Sequence, residues 1–398
     1  MDRQLGIGVL GLHEGRTMLI ALTHSVPPAT GTSVYLPQGA EPGAHRRARH
    51  VRAIGGCDLR AEKVAAARQA CPDLFYTTSY AELLARDDID IICIYTPDQF
   101  HGEHIVQAFE AGKHVICTKP LVNSVEDARR VLEAARQTGR KLLVGQSTRF
   151  FESFQRQRQA YERGELGTLE LVDAHYVHRM DWFYEKSPWA TTETDWIFLG
   201  MSHPVDLVRW YLGPIAEVHA VGARSALAQR YGVRSFDIYA VNFRAADGRI
   251  GRAMGHYGLH ELPSARNAIE LVLYGSEGTS MAQYHDMRYF HTTPDGTEVQ
   301  EDMLYSRRSF YFNNEVHGMH YGEFANYADY FALALLEERP YSPDLAEGLE
   351  TFCVMEAIRR SAHSGQPVAI APLLEAIGLD PSGAPGPPRP DHARTPNW

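Results

Sequence analysis

Between residues 5 and 147 short apolar runs alternate with amphipathic stretches, and this rhythm constrains the fold more than any other feature of the chain. "QLGIGVLGL" reads as a buried strand, and "RTMLIALTHS" as the helix that follows it. "VRAIGGCD", "DIDIICIYTP", "KHVICTKP" and "KLLVGQ" repeat the strand pattern. Between them, "RAEKVAAARQAC", "FHGEHIVQAFEAG" and "SVEDARRVLEAARQTG" carry apolar residues at helical spacing, the last with Ser124 as N-cap and Gly139 as stop. Strands alternating with helices imply a parallel sheet covered on both faces. The expected fold class is therefore α/β.

The pattern changes after residue 150. "LELVDAHYVHRM", "FDIYAVNFRA", "GRIGRAMGHYG" and "NAIELVLYGSEG" read as long strands joined by turns. Two helical stretches follow, "YGEFANYADYFALALLEER" and "LAEGLETFCVMEAIRRSAHSG". Runs of strands with few helices imply an α+β domain on an open, largely antiparallel sheet. The expected organisation is a first domain at 1–147, a second at 148–377 and a flexible tail at 378–398, rich in Pro and Gly. Residues 25–48, rich in Pro, Gly and small polar residues, read as an insertion, either a surface excursion or a lid or oligomer contact.

Charge narrows the function classes. Lys and Arg number 39 against 49 Asp and Glu, a net −10, which argues against a general binder of nucleic acid or anionic membrane. No apolar run is long enough to span a bilayer, and the opening "MDRQLGIGVLGL" lacks a signal peptide's long apolar core. The five cysteines, Cys57, Cys71, Cys93, Cys117 and Cys353, are scattered and odd in number, as expected of reduced thiols in a cytoplasmic protein. Histidine is abundant, but His-x-x-His without nearby Cys or carboxylate spacing is a weak signal, so no metal site is expected.

The first strand runs into "GLHEGRT", where a dinucleotide-binding chain carries G-x-G-x-x-G. Gly11 can make the tight turn. His13 stands where the glycine that admits the pyrophosphate belongs; Arg16 holds the third position, with Gly15 one place early. A free helix N-terminus would still attract phosphate. Asp58 ends the second strand, where a carboxylate accepts from ribose hydroxyls and repels a 2′-phosphate. NAD is the favoured cofactor, while Arg60 and Lys63 keep NADP open, and Asp58 as a plain helix cap fits as well.

"IYTPDQFHGEHIVQAFEAGKHVICTKPLVNSVEDARRVLEAARQTGRKLLVGQSTRF" resembles the core signature of the Gfo/Idh/MocA family, which includes glucose–fructose oxidoreductase and inositol dehydrogenase. Thr96, Pro97, Asp98 and His101 match its Thr-Pro-Asn and following His; Gly112 and Lys113 match its "aGkhV"; Thr118, Lys119 and Pro120 match its Glu-Lys-Pro. "ERGELGTLELVDAHY", "SHPVDLVRWYLGPIAEVHAVG", "LVLYGSEGTSMA" and "SGQPVAI" resemble later family segments, the second its active-site helix. The resemblance spans roughly residues 4–370.

The resemblance implies an N-terminal Rossmann parallel sheet followed by the open-faced domain, with nicotinamide in the cleft between them and a sugar, cyclitol or derivative as substrate. Lys119 matches the functional lysine, and His203 the active-site histidine, with Asp206 one turn on. Gly11, His13, Asp58, Thr96, Pro97, His101, Lys119 and Gln146 are the expected cofactor contacts. Arg149, His178, Arg179, Trp182, His203 and Asp206 are the expected substrate contacts. His256, His260, His317, His320 and Tyr321 are further candidates for the pocket. Homo-oligomers, dimers or tetramers, are expected from the family's habit of pairing through the open sheet.

Three departures stand out. The family's Glu before the lysine is Thr118, the aspartate four residues before the histidine is Leu199, and the glycine loop is altered. The leading expectation is an NAD(H)-dependent oxidoreductase acting on a CH–OH carbon of a sugar, glycoside or cyclitol, with His203 taking the proton and Lys119 lowering the hydroxyl's pKa, or the reverse. The alternative is an NAD-dependent glycosidase or lyase that oxidises transiently and then eliminates. A non-catalytic sensor is a third reading, opposed by the retention of both Lys119 and His203.

Overall fold

The computed structural model describes residues 3–23, 48–260, 268–284, 287–303 and 323–381. The expected insertion, apart from residue 48, and the tail beyond 381 lie outside them, as do His317, His320 and Tyr321.

Six strands build the first sheet: β1 (Leu5–Leu10), β2 (Val51–Cys57), β3 (Phe75–Thr77), β4 (Ile91–Ile94), β5 (His114–Thr118) and β6 (Leu142–Gly145). They pair all-parallel in the order β3-β2-β1-β4-β5-β6. Between them run α1 (Arg16–Thr23), α2 (Ala61–Ala70), α3 (Tyr80–Leu84), α4 (His101–Glu110) and α5 (Val125–Thr138). Every residue of β1, β4 and β6 is buried, as the unbroken apolar runs require of strands covered on both faces. Five of these strands follow from the sequence; β3, the three residues "FYT", is too short to display a period. The strand order reverses between β1 and β4, and a ligand crevice opens beyond the carboxyl ends at such a switch point.

The second sheet has nine strands: β7 (Leu169–Val177), β8 (Ile215–Ala223), β9 (Ile238–Ala245), β10 (Ile250–His256), β11 (Ala268–Gly275), β12 (Thr279–Gln283), β13 (Arg288–Thr292), β14 (Glu298–Asp302) and β15 (Val368–Ala369). Their order is β14-β13-β12-β11-β7-β10-β9-β8-β15. The sheet is mixed and largely antiparallel; β7 and β10, at its centre, run parallel. The helices are α6 (Glu152–Glu162), α7 (Asp181–Lys186), α8 (Trp196–Leu199), α9 (Ser202–Leu212), α10 (Ala226–Arg230), α11 (Glu323–Leu336), α12 (Leu345–Ser364) and α13 (Ala371–Ile377). Helices α6, α9 and α12 cover one face. The other carries the exposed side chains of Val221, Ile250 and Tyr274.

Two local readings need correction. The segment 202–222, likened above to a helix, is a helix only to Leu212; Gly213, at φ 74°, and Pro214 stop it, and β8 follows. Helix α11 follows the second sheet in sequence but packs against the first. Its Phe324, Tyr327 and Phe331 share a core with Val9, Cys93, Ile116 and Leu143, and the Tyr327 hydroxyl meets that of Tyr95 at 2.6 Å. All five cysteines are buried and unbridged. Among the described residues, no helix is long and apolar enough to cross a membrane.

Candidate active site

The glycine loop sits at the carboxyl end of β1. Gly11 holds φ 89°, and a Cβ there would meet the Tyr95 carbonyl at 2.7 Å, so only glycine fits. A Cβ on Gly15 would lie 2.4 Å from the Gly11 oxygen and 2.5 Å from Val9. Gly15 therefore does the helix–strand packing expected at the Arg16 position, one residue early. His13 and Glu14 form the partly exposed crest between the two glycines.

Asp58 pins this loop. Its Oδ2 accepts from the Leu12 amide at 2.9 Å, and its Oδ1 from the Arg60 amide at 3.0 Å and Arg60 Nε at 3.2 Å. The crevice rim continues with Thr96, whose Oγ1 lies 3.0 Å from His104 Nδ1, then Pro97 in extended conformation, and Gln146 just past β6. The buried polar atoms without a partner include Thr17 Oγ1 in α1, Gln99 Oε1 before α4 and Gln146 Oε1 just past β6. A cradle that only glycine can form, at the switch point of a parallel sheet, suits a dinucleotide's phosphates.

His101, expected at the cofactor, is instead a brace. Both ring nitrogens are held by backbone carbonyls, Nδ1 by Pro120 at 2.7 Å and Nε2 by Thr96 at 2.8 Å. It ties the end of β4 to the turn after β5 and is 1% exposed, which leaves no atom for a ligand.

Lys119 leaves the end of β5, and its Nζ donates to the Leu199 carbonyl at 3.0 Å. Ser202 Oγ donates to the same oxygen, also at 3.0 Å, and His203 is the next residue, in the first turn of α9. Lys119 and Ser202, 83 positions apart in sequence, thus meet around one carbonyl. Leu199, where an aspartate is missing, supplies that carbonyl. Burial pushes the Lys119 ammonium down to about 8, against the pull of Asp98 and Glu14.

The His203 ring stands edge-on to Tyr176, centroids 5.5 Å apart, and the Tyr176 hydroxyl lies 3.3 Å from His178 Nδ1. Burial first, and the Lys119 charge with it, push His178 down to about 4 although Asp181 opposes this, so its ring is neutral near pH 7. Tyr176 was not among the expected contacts; the period of two in β7 puts Ala174, Tyr176 and His178 on one face and would have found it. His175, on the opposite face, lies 3.3 Å from Glu270.

At the mouth, Trp182 is 46% exposed, with its ring 5.8 Å from that of His178 and Lys186 Nζ 5.5 Å above it. Arg179 pairs with Asp181 at 2.9 Å and reaches the Gly258 carbonyl and His260, each at 3.4 Å. His256 follows Arg252 and Met254 on the open face of β10, and its carbonyl accepts from the His178 amide at 3.1 Å.

Arg149 and Asp206, expected at the substrate, are both buried and grip each other. Arg149 Nε and Nη2 donate to the two Asp206 oxygens, each at 2.7 Å, and Nη1 donates to Ser342 at 2.9 Å and Glu347 at 3.3 Å. Arg209, one turn beyond Asp206, binds Thr351 at 2.6 Å and also Glu350. With both its oxygens committed to Arg149, Asp206 anchors α9 to α12 and to the end of the first sheet. The two paired carboxylates hold the Arg149 guanidinium well above its usual range. Sequence spacing alone cannot separate a carboxylate that faces a histidine from one that faces an arginine.

Comparison with known proteins agrees with this geometry. The model of the GFO/IDH/MocA oxidoreductase family's NAD-binding Rossmann fold matches residues 30–146, and that of its C-terminal domain residues 154–280. The uncharacterized oxidoreductase YrbE of Bacillus subtilis is 24% identical over 81% of this chain and 90% of its own. Inositol 2-dehydrogenase of Rubrobacter xylanophilus is 25% identical over 73% of this chain and 78% of its own. The solved structure of levoglucosan dehydrogenase with NADH and levoglucosan has the same fold, with TM-score 0.75 at 19% identity, over 92% of this chain and 99% of that one. The chain belongs to the Gfo/Idh/MocA family of oxidoreductases and carries its NAD-binding domain.

Proposed function

We propose that this protein is an NAD-dependent dehydrogenase acting on a secondary hydroxyl carbon of a sugar, glycoside or cyclitol. The observation that carries the reading is the Leu199 carbonyl, around which Lys119 and the residue before His203 meet beside the dinucleotide crevice. NAD, when bound, supplies the hydride acceptor. Gly11, His13, Asp58, Thr96, Pro97 and Gln146 would hold it. Three of the roughly four lone-pair sites of Asp58 are taken, leaving one for a ribose hydroxyl, which favours NAD over NADP.

The chain's own residues do the proton work. The Lys119 ammonium has three donors and gives one to Leu199, which leaves a donor for the substrate oxygen and favours its alkoxide. His203 takes the hydroxyl proton, and the Tyr176 hydroxyl and neutral His178 ring lie along its way out. His178, Trp182 and the Arg179–Asp181 pair offer a ring face and a hydrogen-bonding fork, a combination suited to polyols. The relatives named above for inositol and levoglucosan support that substrate class. The exposed Val221, Ile250 and Tyr274 on the open sheet support a homo-oligomer through that face, which light scattering would detect.

Purified protein incubated with NAD and a panel of sugars and cyclitols is expected to generate the reduced-nicotinamide absorbance band. Absence of turnover in both redox directions, with bound NAD verified, sinks the proposal. Glycoside cleavage with no net NADH would replace it by oxidation and elimination.

A further inference from the structure

Asp98 opens the short helical turn that follows β4 and is 3% exposed. Its Oδ2 accepts from Asn123 Nδ2, in the turn after β5, at 3.2 Å, and from Thr194 Oγ1, just before α8, at 2.5 Å. Its Oδ1 is buried without a partner. An asparagine oxygen could accept the same two hydrogen bonds at a lower cost of burial. What the carboxylate adds there is its charge.

The strand order indicates where that charge acts. Strands β4 and β5 are neighbours, with Ile94 level with Cys117, and Asp98 and Lys119 follow within a few residues of those two ends. Parallel neighbours run about 5 Å apart, so both side chains start from one short stretch of the sheet's edge. Both then reach the same element. Helix α8 is a single turn: Asp98 holds Thr194, two residues ahead of it, and Lys119 holds the carbonyl of Leu199, its last residue. The first sheet thus grips α8 at both ends, and α9, with Ser202 and His203, begins three residues on. Burial lowers the Lys119 ammonium, and Asp98 opposes this more than Glu14 does.

We propose that Asp98 is a positioning residue: its bond to Thr194 sets the α8 turn whose carbonyl aims Lys119, and its charge keeps that lysine an ammonium. The role rests on the dehydrogenase reading of Lys119 given above. Asp98 acts through Lys119 and not on a ligand, since one oxygen is already bonded and the other is enclosed.

Two variants separate charge from tether. Asp98→Asn removes the charge and keeps an acceptor for Thr194; Thr194→Val removes the tether and keeps the charge. The other titratable groups bearing on Lys119, which are Glu14 on the glycine loop, His178 past β7 and His203 in α9, stay in place in both. The first measurement needs no turnover. Urea midpoints of the NAD-free protein, with and without Lys119→Met, are followed against pH in the wild-type and Asp98→Asn backgrounds. The difference within each pair begins to change where folded Lys119 starts to release its proton. In Asp98→Asn that point should lie about one pH unit lower, a tenfold loss of proton affinity. The second measurement is the pH profile of kcat/KM with NAD and a turned-over polyol. Its alkaline limb should move down by the same amount in Asp98→Asn, whereas Thr194→Val should lower kcat and leave the limb where it is. An unmoved urea difference in Asp98→Asn overturns the proposal, whether or not a substrate has been found. Wild-type kcat in Thr194→Val overturns it too. A moved urea difference with an unmoved alkaline limb overturns instead the reading of Lys119 on which it rests.

Discussion

Replacing Lys119 with methionine should make the protein more stable near neutral pH while abolishing turnover. Burial lowers the Lys119 pKa from 10.5 to about 8. At about 1.36 kcal/mol per unit, keeping the ammonium charged in the folded state costs about 3 kcal/mol. Below the folded value both states hold the proton, and the whole cost falls on the native form. Between about 8 and 10.5 the native form releases it first, so wild-type stability rises with pH, and above 10.5 the cost is gone. Methionine fills similar space and escapes the cost, but it forfeits the hydrogen bond to Leu199, about 1 kcal/mol. The variant should therefore be about 2 kcal/mol more stable at pH 7 and about 1 kcal/mol less stable above pH 10.5. Urea midpoints of the two proteins, without NAD, at both pH values measure this difference; other titrating groups cancel. A variant less stable at pH 7, or a difference that does not change with pH, would refute the reasoning.

Further expectations concern the supports of the site. Asp206→Asn strips Arg149 of its ionised partner in a buried setting and should destabilise the protein by about 3–5 kcal/mol in urea titrations. Gly15→Ala puts a methyl 2.4 Å from the Gly11 oxygen; NAD affinity, followed by fluorescence titration, should fall about tenfold or more while circular dichroism stays near wild type. His178, lowered from 6.5 to about 4, stays neutral in the folded state where the unfolded chain takes up a proton. Its contribution to stability is complete above about pH 6.5 and is lost as pH falls through 4, so His178→Gln should reduce acid sensitivity in that window by up to about 3 kcal/mol.

The parallel sheet was legible because strands buried on both faces leave uninterrupted apolar runs, as in β1 and β4. That Lys119 lies against the start of α9 was legible only through motif resemblance, since nothing in a one-dimensional pattern brings residues 119 and 202 together. What escaped was orientation. Arg149 and Asp206 have the chemistry of substrate ligands, but each has its charge satisfied by the other inside the protein. His101 has the chemistry of a cofactor contact, yet two carbonyls fix its ring. The shifted glycine was half legible: its presence one place early could be read, and its close approach to Val9 required coordinates.

The placement of α11 bears on how the chain is made. Some 178 residues separate the last strand of the first sheet, ending at Gly145, from Glu323 where α11 begins. Until that helix leaves the ribosome, the flank of the sheet formed by Val9, Cys93, Ile116 and Leu143 has no cover from Phe324, Tyr327 and Phe331. A fragment cut after residue 147 would present that apolar flank to water and should aggregate, and nascent chains of intermediate length would need a holdase for the same reason.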